Sequence, residues 1–514
     1  MPNTNPKLVG EEGFRSPPIS IVGIIRNLGP GLIIAGSIVG SGELIATTKT
    51  GAEAGFSLLW LVIIGCVIKV FVQVELGRYT IVTGKTTMEG LNSVPGPRLG
   101  VNWLLWYWLI MFVVSMAQLG GIVGGVGQAL AIASPVTESG REFNEYQDVL
   151  TKGEVSRALA LLESPGEASP RFGQENVEIE EKPIGAPPAS NDDVIWAAIV
   201  TVLTSVLLVV GRYRLVQALA TAFVALFTLV SIGNLIHLQS LSDWRISSSE
   251  ILEGLSFGLP RIMEGVQITP LVTALAAFGI IGVGATELIQ YPYWCVEKGY
   301  ARWTGPRDNT KEWVSRAKGW LRVLHWDAWC SAIVYTFATV VFYLLGAAVL
   351  GRVGLNPEGT SMVRTLLEMY VPVFGSIAQS VFLFGAVAVL YSTFFVANAG
   401  HARVCADALR VFGLSSGGDK AIRFWTRVFS GFFPFACLVV YVYIRAPVML
   451  VLASGVMQAF MLPMLGGAAL YFRYRQGDKR LTPSLKWDVL LWISFIGLLI
   501  AGGWLAGSKL MSFF

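Results

Sequence analysis

The stretch Pro30–Trp60, PGLIIAGSIVGSGELIATTKTGAEAGFSLLW, decides the fold of this 514-residue chain. It starts as an apolar helix, reaches Gly40-Ser41-Gly42-Glu43 in mid-membrane, and then becomes apolar again. Two glycines weaken a helix where lipid offers its backbone groups no other partner. The carboxylate that follows must meet a cation, a proton or a water-filled cavity. Because interrupted helices build the substrate sites of secondary transporters, this stretch predicts a transport site.

The composition is that of a polytopic integral membrane protein. Hydrophobic residues make up 54% of the chain, charged residues 14%, and the mean hydropathy is +0.60. The net charge of +4 does not indicate a nucleic-acid partner, because an excess of Lys and Arg in membrane proteins mostly reflects orientation. No CxxC or Cys/His spacing predicts a metal site, so the cysteines are interpreted as small core residues: Cys66, Cys295, Cys330, Cys405 and Cys437.

Eleven apolar segments are long enough to span a membrane, and they predict an all-α integral membrane fold. Residues 1–27 are predicted to be a cytoplasmic tail, and residues 28–514 a single transmembrane domain. The predicted helices 1 to 11 cover residues 28–50, 53–76, 103–133, 193–211, 216–238, 267–298, 326–350, 371–400, 424–444, 447–472 and 486–508.

Loop charges predict the topology. The segments after helices 2, 4, 6, 8 and 10 are rich in Lys and Arg, whereas the short alternate loops are poor in them. By the positive-inside rule the N-terminus is cytoplasmic and the C-terminus external in the cell membrane. The basic residues are Arg78, Lys85, Arg98, Arg212, Arg214, Arg302, Arg307, Lys311, Arg316, Lys318, Arg322, Arg403, Arg410, Lys420, Arg423, Arg473, Arg475, Lys479 and Arg480.

One external loop, residues 134–193, is long, acidic and rich in proline. A short amphipathic piece around Val149–Leu162 is a candidate helix, and the rest is predicted to be flexible. The loop is interpreted either as a solvated insertion without function or as an acidic surface that gathers cations at the outer face.

Helix 6 repeats the design of helix 1. It reads ALAAFGIIGVGATELIQYPYWCVEKG, in which three glycines precede Glu287 at membrane depth. Helix 6 comes five helices after helix 1, which is the spacing expected when helices 1–5 and 6–10 form an inverted repeat. The sequence therefore predicts a leucine-transporter-type fold with paired breaks. The alternative is that each glutamate lies near a helix end, where its charge reaches water, and has no role in a site.

These segments resemble the Nramp divalent-metal transporter family, whose members have eleven helices in the leucine-transporter-type fold. The resemblance covers most of the chain at scaffold level. It is carried by Gly29-Pro30-Gly31, TGAEAGFSLLW at Thr50–Trp60, VQVELGRYTIVTGK at Val72–Lys85, Gly284-Ala285-Thr286, the Arg423-x-x-Thr426-Arg427 start of helix 9, and Leu462-Pro463 in helix 10.

The metal-binding motif of that family is not retained. Its helix 1 motif Asp-Pro-Gly-Asn stands here as Gly40-Ser41-Gly42-Glu43, and its helix 6 motif Met-Pro-His stands as Leu288-Ile289-Gln290. The acidic helix 3 positions used for proton passage correspond to Ser115 and Gln118. The helix 10 glutamine aligns with Gly455, one turn from Gln458, and Arg427 alone of the proton-route set is retained. The chain thus resembles a divergent branch, comparable with the Nramp-related magnesium transporters.

Loss of a thioether and gain of carboxylates shift a site towards hard, oxygen-seeking cations. We expect alternating-access transport of a Mg²⁺- or Mn²⁺-like cation without proton coupling. Glu43 and Glu287 are the predicted metal ligands, and backbone carbonyls freed at the breaks are expected to complete the oxygen shell. The full predicted cation-binding set is Gly40, Ser41, Glu43, Ala285, Glu287 and Gln290, with Ser115, Gln118 and Arg427 at the proton-route positions.

Two other interpretations stay open. In the first, the same fold carries an organic cation or another small non-metal substrate, with Tyr291, Tyr293 or Trp294 as an aromatic wall. In the second, a non-transporting sensor has lost the usual ligands. An enzyme is not expected, because the three histidines (His237, His325 and His401) lie at the predicted helix ends without a catalytic motif. No cofactor is expected, the expected partners are a small cation and the lipid bilayer, and the oligomeric state is left open.

Overall fold

The computed structural model describes residues 13–163, 189–211, 213–260 and 270–511, and these are almost entirely helical. Two two-residue strands, β1 (Arg98–Leu99) and β2 (Val101–Asn102), pair as a tight antiparallel hairpin. The helices are α1 (Ile21–Asn27), α2 (Pro30–Ile38), α3 (Thr48–Ala54), α4 (Leu59–Thr83), α5 (Thr87–Ser93), α6 (Trp103–Ala133), α7 (Glu138–Glu163), α8 (Asp192–Val210), α9 (Tyr213–Leu238), α10 (Ser248–Leu255), α11 (Pro270–Phe278), α12 (Ala285–Lys298), α13 (Tyr300–Thr304), α14 (Lys311–Leu345), α15 (Met362–Leu367), α16 (Val371–Phe374), α17 (Ala378–Val411), α18 (Asp419–Tyr443), α19 (Pro447–Tyr471) and α20 (Leu485–Met511).

Within the described ranges, eight helical segments are long and apolar enough to cross a membrane. They correspond to the predicted helices 2, 3, 4 and 7 to 11. The other three predicted spans are helices 1 and 6, each divided by a break, and helix 5, which is α9. The all-α membrane fold with broken helices 1 and 6 is therefore confirmed. The eight segments are Leu59–Thr83, Trp103–Ala133, Asp192–Val210, Lys311–Gly351, Val371–Val411, Asp419–Tyr443, Pro447–Gln476 and Leu485–Ser508.

Several helices are longer than the sequence predicted, because amphipathic turns continue them beyond their apolar part. The predicted helix 7 begins at Lys311, where the side chain of Thr310 caps it, and the predicted helix 8 ends at Val411. The prediction that His325 and His401 lie at helix ends is thus wrong. In the long external loop, α7 starts at Glu138, well before the predicted piece, while residues 164–188 lie outside the described part of the chain.

Contacts join the basic loops at one end of the helix bundle. Arg410, after helix 8, pairs with Glu89, after helix 2, at 2.8 Å. Arg307, after helix 6, pairs at 2.9 Å with Asp478, after helix 10. The side-chain hydrogen bond from Arg480 lowers the pKa of Asp478 to about 2, so this carboxylate is ionised at neutral pH. Arg78, at the end of helix 2, also donates to the carbonyl of Leu481, after helix 10, at 3.3 Å, so four of the five basic loops share one end.

The N-terminal segment packs against the same end. The guanidinium of Arg15 lies 5.0 Å from the ring centre of Trp303, and that of Arg316 lies 4.6 Å from the ring centre of Phe14. The indole of Trp320 donates a 3.0 Å hydrogen bond to the carbonyl of Arg15. Residues 13–27 of the predicted tail are thus held against the segment that enters α14.

The alternate loops meet at the opposite end. Lys49 donates hydrogen bonds to Asn356 at 2.6 Å and to Glu358 at 2.8 Å, which ties α3 to the segment before α15. Arg352 pairs with Glu250 of α10 at 2.8 Å. These bonds fix the external segments to α3 and to α10 at that end of the bundle.

Asp327 of α14 anchors the start of helix 1. Its Oδ1 accepts a 2.8 Å hydrogen bond from the amide of Gly29, and its Oδ2 accepts a 2.6 Å bond from the amide of Gly31. The hydroxyl of Tyr291 in α12 also donates to Oδ2, at 2.9 Å. One buried carboxylate thus satisfies two of the amides left free at a helix N-terminus and joins helices 1, 6 and 7.

We predict that Asp327→Asn lowers the melting temperature of the purified protein. An amide side chain presents one acceptor oxygen in place of two, so an amide of helix 1 loses its partner, at a cost of about 1–3 kcal/mol. The measurement is thermal unfolding in detergent. Asp243→Asn, at an exposed position, serves as the control and should change stability by less than about 0.5 kcal/mol. Equal melting temperatures for Asp327→Asn and the unmodified protein would contradict the anchoring role.

Candidate functional site

The break in helix 1 falls where the glycines predicted it. α2 ends at Ile38, Gly40 adopts φ −151° and ψ −104°, and a π-helical stretch, Ser41–Thr47, leads into α3. A Cβ on Gly40 would collide with the hydroxyl and the Cβ of Thr393 in α17. The aspartate that the resemblance places at this position therefore cannot fit without displacing Thr393.

Hydroxyl groups of α17 satisfy the carbonyls that the helix 1 break sets free. Ser392 donates to the carbonyl of Gly36 at 3.0 Å, and Thr393 donates to that of Ser37 at 2.8 Å. The carbonyl of Gly40 accepts from the amide of Leu44 at 2.9 Å. These oxygens thus each have one protein donor, and because a carbonyl oxygen has two lone pairs, cation binding by the Gly40 carbonyl stays a prediction.

The break in helix 6 spans the residues between α11 and α12, and it packs closely on helix 10. Gly282 has φ +58°, a conformation that glycine adopts without strain. A Cβ on Gly279 would collide with the carbonyl of Gly455 in α19. The helix 10 position where the resemblance places a glutamine is thus used for close backbone packing.

Glu43 joins the two breaks. Its side chain is fully buried, and Oε1 accepts a 3.1 Å hydrogen bond from the amide of Gly282. The hydroxyl of Thr339 in α14 lies 3.0 Å from the same oxygen. The second oxygen, Oε2, is buried without a hydrogen-bond partner among the described residues. A buried carboxylate oxygen is costly to leave unpaired, so Oε2 marks the point where a cation or a proton would be stabilised.

Glu287 lies in the first turn of α12, on the opposite side of the helix 6 break. Its side chain is partly buried and folds back over Gly284. The Oε2 atom lies only 2.5 Å from the position that a Cβ on Gly284 would occupy. Glu43 and Glu287 thus meet the same break, Glu43 through the amide of Gly282 and Glu287 from the first turn of α12. No group of three or more His, Cys, Asp or Glu side chains suited to a metal ion occurs in the described part of the chain.

A third charged group, Lys69 of α4, was not among the residues predicted from the sequence. It is fully buried, and its ammonium donates to the carbonyls of Phe278 and Ile281, the latter at 2.7 Å. It also interacts electrostatically with Glu43 and Glu287. The signal was available, because a lysine within the apolar run of helix 2 is costly in a membrane and marks a functional position. With all three groups ionised, the site carries a net charge of −1.

The other residues predicted to bind the cation are Ala285, Ser41 and Gln290, and none of the described hydrogen bonds joins them to Glu43 or Glu287. Ala285 is the buried first residue of α12, and the side chain of Ser41 lies outside the described part of the structure. Gln290 packs against Gly400 of α17, and its buried Nε2 has no hydrogen-bond partner among the described residues.

The two altered proton-route positions of helix 3 form a network of uncharged groups. Gln118 Oε1 accepts from Ser454 at 2.8 Å and from Gln458 Nε2 at 3.0 Å. Gln458 Oε1 in turn accepts a 3.1 Å bond from the amide of Thr286 in helix 6, and Ser115 lies 3.4 Å from the hydroxyl of Thr286. Uncharged amide and hydroxyl groups thus link helices 3, 6 and 10. In helix 3 they stand at the two positions where the resemblance places carboxylates.

Arg427 is separate from this network. It lies on an exposed part of α18 and makes no hydrogen bond or ion pair among the described residues. The predicted proton-route positions are therefore not brought together as a set.

The three aromatic residues considered as a wall for an organic cation each have a partner in the bundle. The hydroxyl of Tyr291 donates to Asp327, and that of Tyr293 donates to Asp407 at 2.6 Å. The ring of Trp294 packs under the guanidinium of Arg403, 4.6 Å from the ring centre. These three rings are thus engaged in packing within the bundle.

Paired broken helices around a buried carboxylate define the class: a multi-pass membrane protein with the leucine-transporter-type fold. The sequence profile described as "Natural resistance-associated macrophage protein-like" matches residues 31–138 and 189–508. The chain therefore belongs to the Nramp family, whose members are membrane transporters and not enzymes.

Individual relatives are distant. A divalent metal cation transporter MntH of Mycobacterium tuberculosis is 31% identical over 99 residues, which are 19% of this chain and 22% of that protein. The MntH of Caldanaerobacter subterraneus is 28% identical over 162 residues, 31% of this chain and 34% of that protein. The matched stretches thus span about a fifth to a third of the length of these relatives.

Two solved structures show the same fold. The chain resembles a mutant form of a manganese transporter of Eremococcus coleocola, with a TM-score of 0.58 and 16% identity over 96% of this chain and 89% of that one. It also resembles MhsT in complex with L-phenylalanine, with a TM-score of 0.50 and 14% identity over 95% of this chain and 99% of that one. At these identities the likeness shows the fold alone.

We predict that Gly40→Ala destabilises the protein by about 1–3 kcal/mol, the usual cost of overpacking a core. Because the collision is with Thr393, the double variant Gly40→Ala/Thr393→Gly should lose less stability than the sum of its two single variants. Thermal unfolding of the four proteins gives this coupling. Gly503→Ala in α20, where an added Cβ meets no atom within 4 Å, is the control and should be neutral or slightly stabilising. Additive losses in the double variant would show that Thr393 does not exclude larger residues from position 40.

Proposed function

We propose that this protein is a secondary transporter that moves a cation by alternating access, with Glu43 and Glu287 as the substrate-binding carboxylates. The observation that carries the proposal is the buried, unpartnered Oε2 of Glu43 between the breaks of helices 1 and 6. In this fold, substrate sites lie where paired broken helices meet near the middle of the membrane. Movement of either half-helix would change the coordination of a cation held there.

A hard divalent cation of the Mg²⁺ or Mn²⁺ type is the proposed substrate. The two side chains available to it offer carboxylate oxygens, which suit such ions. With two carboxylates as the main side-chain ligands, the ion would keep several of its waters. Mg²⁺ binds in this way, since it dehydrates reluctantly. The family match and the divalent metal cation transporters to which parts of the chain are similar support the divalent class.

A monovalent organic cation is the second candidate. The ammonium of Lys69 interacts with both carboxylates and reduces the net charge of the site to −1 when all three are ionised. A site with one net negative charge matches a monovalent ion better than a divalent one. An uptake panel that sets Mg²⁺, Mn²⁺ and Ca²⁺ against amines and amino acids separates the two candidates. A sensor would bind a member of this panel without accumulating it.

Glu43→Gln and Glu287→Gln are each expected to reduce uptake into proteoliposomes by at least about tenfold, the effect of about 1.4 kcal/mol of lost cation binding. An amide retains the shape of the side chain and removes its charge. The measurement is initial uptake of each cation in the panel at equal protein incorporation. Glu253→Gln, at an exposed position of α10, is the matched control and should transport normally. Undiminished uptake in both site variants would refute the two-carboxylate site.

Uptake is expected to proceed without proton coupling. Ser115 and Gln118 provide no carboxylate in helix 3, and Arg427 makes no contact with them. Proteoliposomes that contain a pH-sensitive dye should therefore show no lumenal acidification during substrate uptake. Nigericin with a potassium gradient confirms that the dye responds. Acidification that follows substrate concentration and is lost in Glu43→Gln would contradict this expectation.

A further inference from the structure

Lys69 binds the carboxyl-terminal end of the first half of helix 6. Phe278 is the last residue of α11, and Ile281 follows within the break. The ammonium donates to both of their carbonyls, and it lies 4.6 Å from the centre of the Phe278 ring. No carboxylate in the described part of the chain forms a hydrogen bond or an ion pair with it.

These contacts are those of a bound cation. Carbonyls at a helix C-terminus carry the negative end of the helix dipole, and an aromatic face adds further attraction for a positive charge. An interrupted helix in a membrane leaves such carbonyls without partners unless a donor or an ion meets them. Lys69 supplies two of its three N–H donors to them, from a helix that is not itself broken.

We propose that Lys69 is a built-in cation that permanently occupies the carbonyl site at the helix 6 break, in the place where a diffusible monovalent ion would otherwise be required. The tethered ammonium holds α11 in position relative to α4. The transported cation is then confined to the two carboxylates, Glu43 and Glu287. The second part of this inference rests on the proposed function, whereas the occupation of the carbonyl site does not.

A distinct property follows for the intact protein. Because the cation is covalently attached, the stability of the break does not depend on the concentration of Na⁺ or K⁺. Removal of the ammonium should create this dependence on an added cation. A small primary ammonium ion would fill the vacated site best, because its N–H groups can donate hydrogen bonds to the carbonyls.

The test uses the full-length protein in detergent, with its melting temperature as the readout. Lys69→Ala removes the ammonium and three methylene groups, and so leaves space that matches n-propylammonium. Lys69→Met removes the charge and keeps most of the volume. We expect both variants to melt several degrees below the unmodified protein. Millimolar n-propylammonium should restore Lys69→Ala, and it should have no effect on Lys69→Met or on the unmodified protein.

Two controls isolate the cation effect. Tetramethylammonium at equal ionic strength carries the charge without N–H donors, and it should restore little. Lys318→Ala, at an exposed position of α14, should neither lose stability nor respond to n-propylammonium. If Lys69→Ala cannot be purified, Lys69→Met alone decides the question, because an unchanged melting temperature in that variant overturns the proposal. Failure of n-propylammonium to stabilise a purified Lys69→Ala overturns it as well.

Transport measurements separate this inference from the proposed function. In proteoliposomes, Lys69→Met should show at least a tenfold lower uptake rate for whichever cation the unmodified protein carries. If the unmodified protein carries no cation of the panel, the proposed function fails, but the melting experiment still decides whether Lys69 fills a cation site. If Lys69→Met takes up the cation as fast as the unmodified protein, the proposed function survives and the part of the inference that concerns the transported cation is refuted. The melting temperatures still decide the occupation of the carbonyl site.

Discussion

The constraint on which this structure depends is that a helix broken inside a membrane must find partners for its freed backbone groups within the protein. Helix 1 finds them in the hydroxyls of Ser392 and Thr393, and helix 6 finds them in the ammonium of Lys69 and the carboxylate of Glu43. These partners come from helices other than the one they satisfy. The breaks are therefore stable only in the assembled bundle, and the surrounding helices are positioned by the need to supply these donors and acceptors.

The same partners explain how this site differs from the one that the Nramp resemblance implies. A residue larger than glycine at position 40 is excluded by Thr393, and a glutamine at position 455 is excluded by the close approach of helix 6. Where the family motif has an aspartate at position 40, this chain has its carboxylates at Glu43 and Glu287, and Lys69 binds the same break of helix 6. The departures are thus coupled to one another through packing, so a single substitution towards the family motif would not recreate the family site.

The sequence was sufficient to predict the breaks, because glycine pairs and carboxylates within apolar runs are local signals. The break at Gly40 was predicted correctly by this reasoning. It could not supply contacts between helices distant in the chain. The carbonyls freed at Gly40 were expected to bind a cation, but whether a hydroxyl such as that of Thr393 reaches them cannot be read from local pattern. A lysine within the apolar run of helix 2 marks a functional position, but its partners, the carbonyls of Phe278 and Ile281, are known only from the structure.

The close contact between Gly279 and Gly455 has a mechanical consequence. With no side chain between the two backbones, and with Gln458 bonded to the amide of Thr286, helix 10 is attached to helix 6 on both sides of its break. Gln458 is bonded in turn to Gln118 of helix 3. A rocking motion that exposes the site to one side of the membrane and then to the other must therefore carry helices 3, 6 and 10 together.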